Sequence, residues 1–231
     1  MGIGLGIAID RMPPRAAGGA PAPPDSANLQ LLAVPGGPFF QDSARSTPAA
    51  LADLTGSWTD TLVGARHIAG SGTTRPIRRA GGLSFAEDNV ADVLVSTASA
   101  LVAGWSIYVR CDVTTNADGI LATSSPTTAS EPLINTYTTQ IFGSTNLGFQ
   151  VVCADPGGDL VRGLVHNGTN LTVFAGSTES TAAASAQAIA ALSIGSTLAG
   201  YHKGLVRAVA LYRGGHDLTT RNAVRAYLMG L

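Results

Sequence analysis

Charge is scarce in this chain, and so are aromatic rings and cysteines. Only 13% of the 231 residues are charged, about half the share usual in globular domains. Positive and negative residues nearly cancel, leaving a formal net charge of −1. Without a basic field there is little counterion release to gain from phosphates, so nucleic acid is not an expected partner. No apolar run approaches the ~18 residues of a membrane span, so membrane insertion is not expected. The two cysteines, Cys111 and Cys153, lie far apart and lack any CxxC or neighbouring His partner, which excludes a zinc site built on them alone. Two readings of them stand: buried thiols in a reduced compartment, or a disulfide between neighbouring strands.

Glycine and proline, by contrast, are plentiful, at 28 and 12 residues. Together with short apolar runs and many Ser and Thr, they point to numerous strands joined by turns. Residues 1–27 differ from the rest. Gly2, Gly4 and Gly6 alternate with Ile3, Leu5, Ile7 and Ile9 in and around this stretch, and Met12-Pro13-Pro14 and an Ala/Gly/Pro tract follow. Such a segment has too little apolar bulk to build a core of its own. Its period-two pattern suits an added β-strand on a partner, with Ile3, Leu5, Ile7 and Ile9 as the contact residues; the alternative is an arm folded back on its own domain. The Gly-x-Gly-x-Gly opening is not a phosphate loop, because no strand precedes it and the two prolines bar a following helix.

From residue 28 to 231 we expect one antiparallel β-sandwich. The clearest strand is Trp105–Val113. Trp105, Ile107, Val109, Cys111 and Val113 share the core face, and Ser106, Tyr108, Arg110 and Asp112 share a solvent face. Leu160–His166 and Leu171–Ala175 flank Asn167-Gly168, a tight-hairpin dipeptide. Residues 204–212 alternate again, with Leu205, Arg207, Val209 and Leu211 opposite Val206, Ala208, Ala210 and Tyr212. After Gly214-Gly215 comes an amphipathic helix, capped by Asp217 or Thr219, with Val224, Tyr227, Leu228 and Leu231 on its inner face. It is expected to close the domain, leaving little sequence for a separate catalytic unit. The Ala-rich stretch Thr181–Ala191 reads as a loop leading into a strand.

Catalytic constellations are missing from the pattern. There is no Gly-x-Ser-x-Gly elbow, and His67, His166, His202 and His216 each stand alone, read as surface or turn residues. The acids Glu87, Asp88 and Asp92 do not fall on one strand face, a poor arrangement for glycoside hydrolysis; a calcium loop and a solvated turn are both open there. Neither a catalytic residue, a cofactor nor a metal is expected, and the chain is read as not an enzyme. Arg75, Arg78 and Arg79 read as a solvated loop. Tyr108 and Tyr137 are the aromatics expected to be exposed and to face a ligand.

Phe39-Phe40-Gln41-Asp42-Ser43, Thr47-Pro48, Trp58-Thr59-Asp60, Thr74-Arg75-Pro76 and Gly82-Leu83-Ser84-Phe85 occur in this order, and the 203–212 strand and the 218–228 helix follow. In these motifs the chain resembles the concanavalin A-like, laminin-G-like jelly-roll domains of tailed-bacteriophage and gene-transfer-agent virion proteins. The resemblance implies an all-β jelly-roll sandwich with a short C-terminal helix and an extended N-terminal arm. It also implies a virion component (tail fibre, tail tip or head decoration) with other virion proteins as partners, a homo-oligomer, above all a trimer, and host-surface glycan as an alternative ligand. An acidic Phe-Asp-Gly-x-Asp-Asp run of that group is missing near Phe85-Ala86-Glu87-Asp88, so the group's ligand or calcium site is not carried over.

Overall fold

The computed structural model describes residues 21–60, 67–70, 75–86, 92–96, 101, 104–113, 119–123, 133–137, 139–146, 149–185, 188–189, 191–197 and 200–231. The expected contact residues Ile3, Leu5, Ile7 and Ile9 lie outside them. The strands are β1 (Leu29–Ala33), β2 (Phe39–Phe40), β3 (Ser57–Thr59), β4 (His67–Ala69), β5 (Ile77–Arg79), β6 (Gly82–Phe85), β7 (Val93–Ser96), β8 (Trp105–Val113), β9 (Gly119–Thr123), β10 (Leu133–Tyr137), β11 (Gln140–Asn146), β12 (Phe149–Ala154), β13 (Gly158–His166), β14 (Asn170–Ala175), β15 (Thr178–Ala183), β16 (Ser193–Thr197), β17 (Gly200–Tyr201) and β18 (Gly204–Arg213); α1 (Leu218–Met229) follows. One sheet runs β15-β14-β13-β8-β18-β6-β5, with β1 also paired to β18; the other runs β12-β11-β10-β9-β16-β7-β4-β3-β2, with β17 on β16. Every pairing is antiparallel. This is the all-β jelly-roll sandwich expected from the sequence.

Between the sheets lies the main core, built from inward residues such as Leu31, Trp58, Phe85, Leu94, Trp105, Ile107, Val109, Ile134, Ile141, Leu164, Val173, Ile194, Val209 and Leu211. Trp58 stacks on Phe39 at 5.3 Å, and its indole N–H donates to the Val34 carbonyl at 3.1 Å. The Asn167-Gly168 turn forms as expected: the Asn167 side chain accepts from the N–H groups of Thr169 and Asn170, and Gly168 takes φ +101°, where glycine carries no Cβ penalty.

The outward face of the first sheet departs from the expectation. Tyr108 was placed toward solvent, yet it is 0% exposed. A second apolar cluster covers that face: Leu29, Leu32, Val34, Tyr108, Val161, Val165, Phe174, Ala208, Ala210, Tyr212, Val224 and Leu228, with Tyr227 packed beside it. The helix supplies the cover, and β1, a strand of the same sheet beside β18, adds Leu29 and Leu32 to the covered face, so β8 is buried on both sides rather than one. Alternation in β18 is also interrupted. The register with β8 shifts between Val206 and Ala208, a bulge at Arg207 that leaves Val206, Val209 and Leu211 in the main core and Ala208, Ala210 and Tyr212 in the second.

The Asp217 side chain caps α1, accepting from the Thr220 N–H at 2.8 Å. Val224 and Leu228 are buried as expected, but Leu231 is exposed, and Arg221 and Arg225 join the inner face instead. Their burial is matched by charge: Arg221 and Arg225 reach the two carboxylate oxygens of Glu179 on β15 at 2.8 and 3.2 Å, and Arg225 lies over the Phe174 ring. Thr181–Ala183 extend β15, so the expected loop begins three residues later, after Ala183.

Close approach makes Gly163 obligatory in β13. A Cβ there would sit 2.2 Å from the Phe174 ring and 2.4 Å from the Ile107 carbonyl oxygen. Gly163→Ala is expected to lower unfolding free energy by about 1–3 kcal/mol through overpacking, and Leu228→Ala by about 2–5 kcal/mol through a cavity under the helix. Urea unfolding of the two variants checks both values.

Candidate functional site

A chain of polar contacts joins the N-terminal segment to the helix. The His216 ring Nδ1 lies 2.8 Å from the Tyr108 hydroxyl, and Nε2 lies 3.1 Å from an Asp25 carboxylate oxygen. A carboxylate can only accept, so Nε2 carries the proton and Nδ1 accepts from the Tyr108 O–H. The His216 N–H donates to Ser106 Oγ, and Arg221 donates to the His216 carbonyl. Burial holds His216 below its ordinary value, opposed by the Asp25 hydrogen bond. The Asp–His–Tyr order resembles a proton relay, but it ends on a phenol that burial pushes well above its ordinary range and that has no opening to a substrate. The arrangement works as a clasp between residue 25, β8 and the entry to α1.

The remaining described carboxylates with bonded partners serve similar ends. Asp155 pairs with the buried Arg162 at 2.7 Å, and Asp159 with Arg110 and Arg207 at 2.7 and 3.2 Å. Asp42, Asp53, Asp60, Asp92 and Asp217 accept from backbone N–H groups. Arg75 and Arg78, expected in a solvated loop, instead donate to the carbonyls of Gln41 and Ala49. Among the described residues no group of three or more His, Cys, Asp or Glu is placed to hold a metal; Glu87 and Asp88 lie outside them. Both cysteines are free and buried, so the disulfide alternative falls, and burial pushes each thiol up to about 11, leaving it protonated and unreactive.

The histidines also differ from expectation. His166, His202 and His216 are buried. His166 is tied to the hairpin by the Gly168 N–H and the Ala184 carbonyl. His202 has no hydrogen-bond partner at either ring nitrogen, and burial pushes it down to about 3. Their solitary places at turns and strand ends suggested exposure; what buries them is contact with distant residues, Trp105 for His166, Phe85 for His202, and Tyr108 and Tyr212 for His216.

A different face carries free polar groups. In the second sheet Trp58, Leu94, Ile134 and Ile194 point into the core, so their chain neighbours lie on the opposite face. There Ser57, Thr59 and Ser193 are buried, as is Thr55 just before β3, and none of the four hydroxyls has a hydrogen-bond partner. The Asn135 carbonyl oxygen on the same face is likewise unpartnered, and Asn135 pairs across the sheet with Phe142, which pairs with Val152. Tyr137 lies in β10 opposite Gln140, and its side chain is outside the described residues. At the β2–β3 edge of this face a cavity of about 380 Å³ is lined by Pro38, Phe40, Ala44, Arg45 and Thr59. A more apolar groove of about 250 Å³ lies between α1 and the first sheet, among Leu160, Gly176, Asn222, Ala226 and Met229. Neither cavity was foreseen, since each joins residues that are separated in sequence or belong to different elements.

Fold and site together define a β-sandwich domain with one sheet sealed by a helix and the other lined by hydroxyl and amide groups. No protein-family model and no curated protein sequence matches the chain. Among solved structures, a mutant of Trypanosoma rangeli sialidase displaying trans-sialidase activity is similar over 88% of this chain and 33% of its own, with a TM-score of 0.54 and 12% identity. The CBM40 of the Ruminococcus gnavus IT-sialidase, bound to α2,3-sialyllactose, is similar over 54% of this chain and 83% of its own, at a TM-score of 0.45 and 12% identity. A botulinum neurotoxin type C structure, from work on cell entry dependent on two ganglioside molecules, is similar over 87% of this chain and 51% of its own, at 0.46 and 8%. The chain thus spans a third of the sialidase chain and about half of the toxin chain. The likeness to the sialidase is one of fold.

His202 and His216 both take up protons less readily folded than unfolded. The unfolded chain therefore binds the proton first as pH falls; the His202 contribution is complete above about 6.5 and lost toward about 3, and that of His216 falls in the same direction. Chemical-denaturation midpoints are expected to fall through that window, and His202→Leu is expected to flatten the decline.

Proposed function

We propose that this chain is a non-enzymatic recognition module that binds a glycan through the polar outer face of its second sheet. The observation that carries the reading is the contrast between the two outer faces. Helix α1 closes the first with an apolar layer, whereas the second keeps the unpartnered hydroxyls of Thr55, Ser57, Thr59 and Ser193 and the Asn135 amide oxygen. These atoms are closed to solvent in the unliganded chain, so glycan binding there includes an opening of this face, after which sugar hydroxyls, each both donor and acceptor, satisfy groups whose unmade hydrogen bonds cost roughly 1–3 kcal/mol each. The structural employment of the described acids, in ion pairs and backbone caps, supports binding rather than hydrolysis.

The resemblance in motif order to virion jelly rolls supports a setting on a phage-type particle. In that setting residues 1–27 tether the domain through Ile3, Leu5, Ile7 and Ile9, other virion proteins or copies of the chain in a trimer are the partners, and the sandwich projects toward the host. Deleting residues 1–24 is then expected to leave a folded domain that no longer enters particles, read by particle sedimentation and immunoblotting. The full chain on a glycan array is expected to retain a defined subset of saccharides. Silence across a broad array would remove the glycan reading and leave the tethered structural one.

A further inference from the structure

We infer that the groove between α1 and the first sheet receives residues 3–9 of a second copy of this chain. This deepens the reading of the N-terminal arm as a tether between copies, on which it rests, by giving the arm an acceptor. It does not depend on glycan binding.

The groove is open to solvent and mostly apolar. Asn222, Ala226 and Met229 form one side as a single stripe of α1, at the i, i+4, i+7 spacing that stacks side chains on one helix face. All three are exposed, and Met229 keeps 41% of its surface in water. Leu160 and the buried Val161 of β13 form the other side, with Gly176 at the turn between β14 and β15. Arg225 is the charged residue among the described lining groups, and it is already paired with Glu179 at 3.2 Å. The groove therefore suits an apolar segment rather than an ion. Its volume of about 250 Å³ is a size for side chains of one extended segment, not for a folded domain.

Two observations select the occupant. The first is the pattern of residues 3–9, which lie outside the described residues. On an extended strand Ile3, Leu5, Ile7 and Ile9 share one face, and Gly4, Gly6 and Ala8 share the other. Such a segment has one apolar side to bury. Its successive inward side chains are about 6.8 Å apart, within the ~10 Å that α1 rises from Asn222 to Met229. The second observation is where the arm joins the domain. In the first sheet β8 separates β18 from β13. The residues that follow the arm lie on the β18 side: β1 pairs with β18, and Asp25 bonds to His216, whose ring packs on Tyr212 of β18 at 4.6 Å. The groove lies on the β13 side. The arm thus joins its domain on the side of β8 away from its own groove, and Pro13-Pro14 favours extended backbone that carries the apolar residues outward. An arm on one side and a groove on the other make a head-to-tail contact, the kind that closes into a ring such as a trimer.

Light scattering and methyl NMR on the full chain test the inference. The chain is expected to run as more than one copy. Leu5→Glu and Ala226→Glu are each expected to weaken that association about ten-fold or more, since each sets a charge in an apolar contact. Ala226 is exposed and Glu is a good helix former, and urea midpoints confirm that both variants are folded. Unlabelled Ala226→Glu chain, whose arm is intact, is then added to methyl-labelled Leu5→Glu chain, whose groove is intact; the Met229 methyl signal is expected to shift. No shift, or association that survives Ala226→Glu, would overturn the contact. A full chain that is monomeric at every concentration would overturn the second copy as occupant, and a Met229 signal moved by Leu5→Glu in that monomer would give the groove to the chain's own arm. Particle entry that Leu5→Glu blocks and Ala226→Glu does not, with no Met229 shift, would keep the tether and overturn its place in the groove. Entry and association both indifferent to Leu5→Glu would overturn the tether as well.

Discussion

Strands β8 and β18 run side by side through the first sheet and are covered on both faces, and the architecture is organised around that burial. Each presents large apolar groups inward, among them Trp105, Ile107, Val209 and Leu211, and further groups outward, among them Tyr108, Ala210 and Tyr212. Without a cover the outward set would be an apolar patch beside Phe174 and Val165. Helix α1, carrying Val224 and Leu228, removes it from water together with Leu29 and Leu32 of the neighbouring strand β1. The clasp of Asp25, His216 and Tyr108 fixes where β1 and the covering helix begin. In this sense the helix is a structural lid for a second core, and its two buried arginines are tolerable because Glu179 meets both.

Charge is scarce, and several of the described ionised groups are put to structural use. Arg162, fully buried, is neutralised by Asp155 and donates to the Cys111 carbonyl at 2.8 Å, locking the turn between β12 and β13 to β8. Arg110 joins Asp159 to the C-terminal carbonyls of α1. With most of the described acids occupied in this way, the glycan binding we propose would draw on hydroxyls, amides and a few rings. That suits ligands rich in hydroxyl groups and poorly suits a polyanion bound by long-range attraction. The two sheets therefore divide the labour: one is sealed for stability, and the other keeps polar groups whose hydrogen bonds are unmade.

How far the sequence could be read follows from the range of the forces involved. The strand at Trp105–Val113, the Asn167-Gly168 hairpin and the capped C-terminal helix were legible because they depend on near neighbours: period-two alternation, a turn dipeptide and an Asp at the N-cap. The outward direction of Tyr108 was also legible, but its exposure was not, since alternation tells which face a residue takes and not what lies over that face. The Arg207 bulge escaped notice because one inserted residue shifts register without disturbing composition. The histidines near turns read as solvated from the sequence, and three of them are buried, His166 against Trp105, His202 against Phe85 and His216 against Tyr108 and Tyr212.

By itself the amino-acid order determined an antiparallel sandwich of short strands ending in a helix, because turn chemistry and side-chain period act over a few residues. Only the tertiary structure decided that the helix seals one sheet, that Asp25 meets His216 across 191 positions, and that Phe40, Arg45 and Thr59 share a cavity. Those outcomes rest on contacts between distant segments, whose geometry exists only once the two sheets have packed.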